Sequence, residues 1–266
     1  MSDEILAIMP EHIGSYAGLI NPPELLALAP SARRSGGPAP AAAAAAGGVA
    51  VMGLVGIIRQ HPATGLFGGG AGLTQFLQAF KAALADDSCT SILIDVDSPG
   101  GSVYGVEELA SEIYAARGKK RIAAVANSLA ASAAYWIASA AGEFYVTPGG
   151  EVGSIGVYVA HMDRSKQLRK AGVDTKLVSA GKYKVEGNPY QPLAPEARKF
   201  LQSRVDDYYS KFTRAVARNR GVSALTVRNG MGQGRILGAD AAKAAGMVDG
   251  IATFDDVARR LLSSRR

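Results

Sequence analysis

The 266-residue chain predicts an α/β fold, and three observations carry that expectation. From residue 49 onward, short strand-like apolar runs alternate with segments of helical period, the order expected when helices cover a sheet. The run Ser91-Ile-Leu-Ile-Asp-Val-Asp97 is apolar enough for a buried strand and is stopped by the turn residues Ser98-Pro-Gly-Gly101. Finally, the chain is long enough for one large domain with a full core, or one domain plus appendages.

Taken in order, residues 1–30 hold the apolar clusters Ile5-Leu-Ala-Ile-Met9 and Leu25-Leu-Ala-Leu28, separated by Pro22-Pro23, which suit short docking helices. Residues 31–48 are rich in Ser, Gly, Pro and Ala and suit a flexible linker, so residues 1–48 together form an N-terminal arm, a pro-segment or a partner-binding tether. The main domain is expected over 49–252, with strands near 49–58, 91–96, 121–126, 143–147, 155–160 and 174–179. Helices are expected near 71–85, 103–117, 129–141, 162–171, 195–219 and 238–245. Phe200, Leu201, Val205, Tyr208, Phe212 and Val216 recur at helical spacing and give helix 195–219 one apolar face, with Gly221 at its stop. The small residues of 129–141 allow close helix packing. Residues 253–266 form a basic C-terminal tail.

Composition excludes several classes. The net charge of +6 is spread along the chain, with one dense run at Arg259-Arg-Leu-Leu-Ser-Ser-Arg-Arg266, which suits a solvated helix end. No zinc-finger, RNA-recognition or helix-turn-helix pattern points to nucleic acid, and Gly68-Gly-Gly-Ala-Gly72 lacks the Lys-Ser/Thr of a phosphate-cradling loop. Cys89 is the sole cysteine, which rules out an intrachain disulfide and suits a small packed residue. Residues 36–58 carry no charge, but Pro38, Pro40 and Gly47-Gly48 interrupt them and their second half suits the first core strand. No membrane segment is expected, the start Met-Ser-Asp-Glu lacks the basic region of a secretory signal, and a cytoplasmic protein is the default. No cofactor and no metal are expected.

The chemistry concentrates in Glu151-Val-Gly-Ser-Ile-Gly-Val157 and Ser179-Ala-Gly-Lys-Tyr-Lys-Val-Glu-Gly-Asn-Pro189. Gly153 and Gly156 let the backbone turn sharply around Ser154, presenting its hydroxyl and leaving the Ile155 N–H free for an oxyanion. A serine hydroxyl needs a base, and a lysine can serve only where burial or a neighbouring cation lowers its pKa. At the ordinary value near 10.4, roughly one lysine in a thousand or fewer is neutral at pH 7. Gly101, at the carboxyl end of the 91–96 strand, is the second oxyanion donor, with Gly100 in reserve. His12 lies in the arm, His61 in a Pro/Gly-rich loop, and His161 too close after Ser154 to act as its base, which suits a local polar contact instead. Taken alone, Gly-Ser-Ile-Gly-Val is equally a turn beside a buried strand, and solvated lysines are the rule.

The order Asp97-Ser-Pro-Gly-Gly, Ala131-Ser-Ala-Ala-Tyr-Trp-Ile-Ala-Ser-Ala-Ala141, Gly153-Ser-Ile-Gly-Val, a lysine, then Gly234-Arg-Ile-Leu-Gly-Ala-Asp-Ala-Ala242 resembles the signal peptide peptidase A family. Within it, Gly153 to His161 and the lysine segment most resemble the head-maturation (prohead) proteases of tailed phages. The resemblance covers about residues 48–252. It implies a Clp/crotonase-like fold of repeated ββα units in a single domain with a flexible N-terminal arm, and no cofactor. It also implies Ser154 as nucleophile and Lys184 as general base. In the phage branch the lysine follows Ser-Gly-x-x-Lys-x-x-Gly-Asn-Pro. Here Ser179-Ala-Gly-Lys-Tyr-Lys-Val-Glu-Gly-Asn-Pro carries one extra residue or has Ala180 in the serine's place, which makes Lys182 the rival base or an auxiliary cation. Ser132 is a possible hydrogen-bonding residue behind the site.

The expected activity is a Ser-Lys endopeptidase acting on scaffold, portal or capsid proteins during phage head assembly, working as a homo-oligomer in the host cytoplasm or within an assembling prohead. The alternatives are a bacterial signal-peptide or membrane-protein peptidase of the same family and a catalytically silent assembly protein. A hydratase or isomerase on this fold would use carboxylates rather than this pair.

Overall fold

A computed structural model describes residues 4–9, 48–61 and 70–263, and the backbone of 43–44. The mixed α/β architecture centres on an eight-stranded, mostly parallel sheet. Along the chain the strands are β1 (Leu6–Ile8), β2 (Ala43–Ala44), β3 (Val49–Val55), β4 (Ser91–Ser98), β5 (Gly100–Ser102), β6 (Arg121–Ala131), β7 (Glu143–Val146), β8 (Glu151–Gly153), β9 (Ile236–Gly238) and β10 (Gly250–Ile251). The main path runs β10-β7-β6-β4-β3-β2, parallel from β10 to β3 and antiparallel at β2. The described helices are α1 (Leu73–Ala85), α2 (Val106–Ala116), α3 (Ala133–Ala138), α4 (Ser165–Lys170), α5 (Pro195–Arg220), α6 (Ala224–Gly230), α7 (Ala239–Ala244) and α8 (Phe254–Ser263).

β4 reads as a continuous apolar run because both of its faces are covered. Ile92, Ile94 and Val96 enter the large core with Phe76, Phe80 and Ile113 of α1 and α2. Leu93 points the other way, joining Val49, Ala123 and Val125 beneath Val257 and Leu261 of α8. The segment 253–266, expected as a tail, therefore contains a helix that closes the second face.

β6 belongs to two ladders. Its residues 123–126 pair with β7, while Leu129–Ala131 pair with β8, which pairs in turn with β9. Asn127 and Ser128 are exposed at the bend between these two parts. The strand ends at Ser132, where α3 begins with every residue buried. Tyr135 Oη donates to the Met247 carbonyl at 3.0 Å, and Trp136 stacks on Phe212 of α5 with centroids 4.7 Å apart. Arg117 closes the far end of α3, donating to the carbonyls of Ser139 (2.9 Å), Ala140 (2.9 Å) and Ala141 (2.6 Å).

Several expectations change. The helix expected over 129–141 starts only at Ala133, because its first residues complete β6. The strand expected over 155–160 lies before the serine instead, as β8; left-handed backbone at Gly153 and Ser154 ends extended pairing, and one bridge, Leu6 to Tyr158, follows. Residues 174–179 belong to neither helix nor strand and are exposed. Ile5-Leu-Ala-Ile-Met9 forms a buried strand rather than a docking helix, because backbone partners flank it on both sides. Leu25–Leu28 and most of the expected linker lie outside the described residues. Helix 195–219 is present as α5, yet Phe200 is exposed while Leu201, Phe212 and Val216 are buried. No helix among the described residues is long and apolar enough to cross a membrane.

Candidate active site

The two parallel strand ends β6 and β8 bring Ser132 and Ser154 side by side. Ala131 is the register partner of Gly153, and the Ser132 N–H donates to the Gly153 carbonyl at 2.7 Å. The Ser154 N–H donates across to the Arg235 carbonyl at 2.8 Å, so the loop before β9 clamps the turn. Gly153 has φ +128, and a Cβ there would press on the Arg235 carbonyl. Ser154 has φ 52 and Ser132 has φ 56 with ψ −118; the remaining non-glycine residue with positive φ among those described is Gln233, two residues before Arg235. Side chains avoid this region, at a cost of about 1–3 kcal/mol each, and such conformations persist where surrounding contacts enforce them. Two of the three thus meet at one junction, and the third lies in the turn that leads to Arg235.

The glycine pair completes that junction. β4 ends at Ser98, whose hydroxyl donates to the Gly56 carbonyl at 2.6 Å and accepts from the Gly100 N–H at 3.2 Å. Gly100 has φ +96, and a Cβ on it would collide with the Ala7 carbonyl oxygen and crowd Ser132 Cβ at 3.0 Å. Gly101 lies against the Ile58 backbone, which leaves no room for a side chain. Gly100, Gly101, Ser132 and Ser154 are thus brought together. Ile155, the other expected oxyanion donor, follows Ser154 and is buried. Ser154 is buried, at 7% exposure, a setting in which a few polar groups dominate the electrostatics.

The lysines stand apart from this cluster. Lys184 is exposed, and among the described residues no hydrogen bond joins it to the Ser154 hydroxyl. Lys182 donates to Tyr183 Oη at 2.7 Å and to Glu196 Oε1 at 3.3 Å. Those hydrogen bonds and the Glu196 charge raise its pKa, the opposite of what a base requires. The lysine segment is nevertheless tied to the serine segment. His161 Nδ1 lies 3.2 Å from the Gly187 carbonyl, and the Arg164 N–H donates to the Pro189 carbonyl at 2.8 Å. His161 thus makes a local polar contact. His61 Nδ1 lies 3.2 Å from Thr74 Oγ1, and His12 lies outside the described residues.

Sequence reasoning missed Arg235, whose backbone carbonyl has no side-chain signature, and Tyr158, which the expected 155–160 strand concealed. Cys89 is buried, with Sγ donating to the Ser91 carbonyl at 3.3 Å. Among the described residues, no group of three or more His, Cys, Asp or Glu is arranged to hold a metal ion.

The profile of peptidase family S49 matches residues 115–265, more than half of the chain. The chain is 36% identical over 178 residues to head-tail preconnector protein GP5 of Enterobacteria phage P21, covering 66% of this chain and 35% of that relative. It is 35% identical over 181 residues to capsid assembly protease C of Escherichia phage lambda, covering 68% and 41% respectively. It is 29% identical over 194 residues to a protein of Enterococcus faecium described as a putative signal peptide peptidase SppA, covering 72% and 56%. The chain thus spans well under two thirds of each of these relatives.

Proposed function

The chain belongs to peptidase family S49, and from that premise we propose that it is a serine endopeptidase in which Ser154 is the nucleophile and Lys184 the general base. The observation that carries this reading is the strained turn. A serine held at positive φ, clamped by Arg235 and brought to the same junction as the Gly100–Gly101 strand end, is the arrangement that presents a hydroxyl to a carbonyl beside backbone donors. Ser154 attacks the scissile carbonyl, and Lys184 takes the proton and returns it to the leaving amine. The N–H groups of Gly101 and Ile155 hold the oxyanion, with Gly100 in reserve. Ser132 acts as a positioning residue, its N–H bonded to Gly153, and Lys182 holds the lysine segment through Glu196. The covered, mostly parallel sheet with glycines at its strand ends supports a Clp/crotonase-like fold of ββα units.

A lysine base must be desolvated, and in the single chain Lys184 is exposed. Val173, Leu177, Val178 and Tyr183 of the same segment are also exposed, Val178 almost completely. Packing a second copy over this segment would bury both the apolar side chains and the lysine, which supports a homo-oligomer as the working form. The phage relatives support scaffold, portal or capsid proteins as substrates during head assembly, with the host cytoplasm or the assembling prohead as the place of action.

The test compares three variants on casein and on a capsid-scaffold substrate. Ser154→Ala and Lys184→Met should each lower cleavage by at least about a thousandfold with unchanged circular dichroism. Lys182→Met should retain most activity. Turnover by Ser154→Ala comparable to the parent would exclude the nucleophile, and an inactive Lys182→Met beside an active Lys184→Met would move the base.

A further inference from the structure

The N-terminal strand β1 lies where a bound peptide would lie. Antiparallel to β5, it places Leu6 opposite Ser102, Ala7 opposite Gly101 and Ile8 opposite Gly100. On its other edge, Leu6 exchanges both backbone hydrogen bonds with Tyr158, four residues after Ser154, at 2.9 and 3.0 Å. Two more bonds fix the ends: the Val103 N–H donates to the Ile5 carbonyl at 3.3 Å and the Met9 N–H to the Pro99 carbonyl at 3.0 Å. An extended segment is thus clamped between the glycine element and the chain leaving the nucleophile, the geometry of strand addition to a peptide-binding groove.

The side chains sort by the two-residue period of a strand. Ile5 and Ala7 enter the large core, whereas Leu6 and Ile8 pack on Ile57 and Tyr158. All of residues 5–9 are buried, at 8% exposure or less. A Cβ on Gly100 would collide with the Ala7 carbonyl oxygen, so the segment lies close against the glycine pair at a residue with a one-carbon side chain.

We infer that the groove between Gly100–Ser102 and Tyr158 is the substrate groove, and that residues 5–9 occupy it as an internal, autoinhibitory ligand. This rests on the peptidase reading above for the word substrate, and on the backbone ladder alone for the occupancy. The groove accepts an extended apolar peptide with a small residue opposite Gly101 and an aliphatic residue two positions before it. A substrate must displace the segment, and an intramolecular ligand has an effective concentration on the order of millimolar, so even a weak occupant suppresses turnover.

The experiment uses a fluorescein-labelled peptide of residues 4–9 (Glu-Ile-Leu-Ala-Ile-Met) and a chain lacking residues 1–9, both with intact Ser154 and with Ser154→Ala. Anisotropy should show saturable binding to the folded shortened Ser154→Ala chain and at least tenfold weaker binding to the full Ser154→Ala chain. The same peptide carrying Ala7→Trp should bind at least tenfold more weakly than the unaltered one. With intact Ser154, the shortened chain should cleave a peptide substrate at least about tenfold faster than the full chain. Absence of binding to a folded shortened chain, or equal binding to both chains, overturns the proposal. Binding without cleavage in either chain upholds the occupancy and removes the peptidase reading instead. If the shortened chain does not fold, a full Ser154→Ala chain with a site-specific protease sequence in place of residues 36–41 is folded and then cut. Labelled peptide that exchanges in after cutting and not before supports the proposal, and none after cutting overturns it.

Discussion

At Gly153 the demand on the residue is purely steric. The backbone stands at φ +128, and an added Cβ would meet the Arg235 carbonyl at 2.7 Å and Met247 Cε at 3.4 Å. Gly153→Ala should therefore destabilise the fold by about 2–4 kcal/mol and remove cleavage, because relief of the clash shifts Ser154. Urea midpoints and casein turnover read the two effects, and Gly149→Ala is the control, since a Cβ there meets nothing within 4 Å. The Gly-Ser-Ile-Gly pattern made this turn legible in the sequence because glycine marks such backbone directly. Ser132 was not legible as strained, since its backbone conformation comes from the junction of β6 with α3 and its neighbours are alanines that carry no turn signal. The acceptor for the Ser154 N–H, the Arg235 carbonyl, was equally hidden, because any residue supplies a carbonyl.

Among the elements, α3 depends on one side chain from α2's end. Arg117→Met leaves the carbonyls of Ser139, Ala140 and Ala141 at a buried helix end without their donor, and about 2–4 kcal/mol should be lost. For a domain of this size that lowers the melting temperature by about 5–15 °C, measurable by calorimetry. A second element contact carries a pH signature. Burial opposes the charged form of Asp249, but Arg220 at 2.8 and 3.0 Å, together with the Phe144 N–H at 2.7 Å, outweighs it and holds the carboxyl below its usual value. A depressed folded value adds stability above the unfolded carboxylate range and loses it as pH falls through the folded value. Asp249→Asn should therefore lower stability at pH 7, with the gap to the parent narrowing as pH falls below about 4 and the parent's carboxyl takes up its proton. Long periodic segments such as α5 were legible because Leu201, Phe212 and Val216 repeat on one face. The β6–α3 boundary was not, because alanine and serine serve strand and helix alike. Residues 174–179 carry strand-forming residues but find no ladder within the described single chain, so propensity alone misled there.

For the whole molecule, the proposed base sets the pH dependence. A lysine must lose its proton to act, so cleavage should rise with pH above the histidine range near 6.5. Replacing His12, His61 and His161 together by Gln should leave that rise in place. A plateau already reached by about pH 6 would exclude a lysine base. Light scattering at micromolar concentration should show an assembly larger than one chain, and a strict monomer would oppose burial of the 173–183 segment by a second copy. The sharing of β6 between two ladders also divides the molecule by time. The Ser132 amide, bonded to Gly153, follows β6, and the Ser154 amide, bonded to Arg235, follows β8, which pairs with the outer part of β6; solvent deuterium should therefore reach both only when this ladder opens. The amides of 174–179, outside any helix or strand, should exchange orders of magnitude sooner. On the proposed pairing, the serine then sits in a part of the molecule that opens slowly, while the lysine follows a segment that opens orders of magnitude sooner.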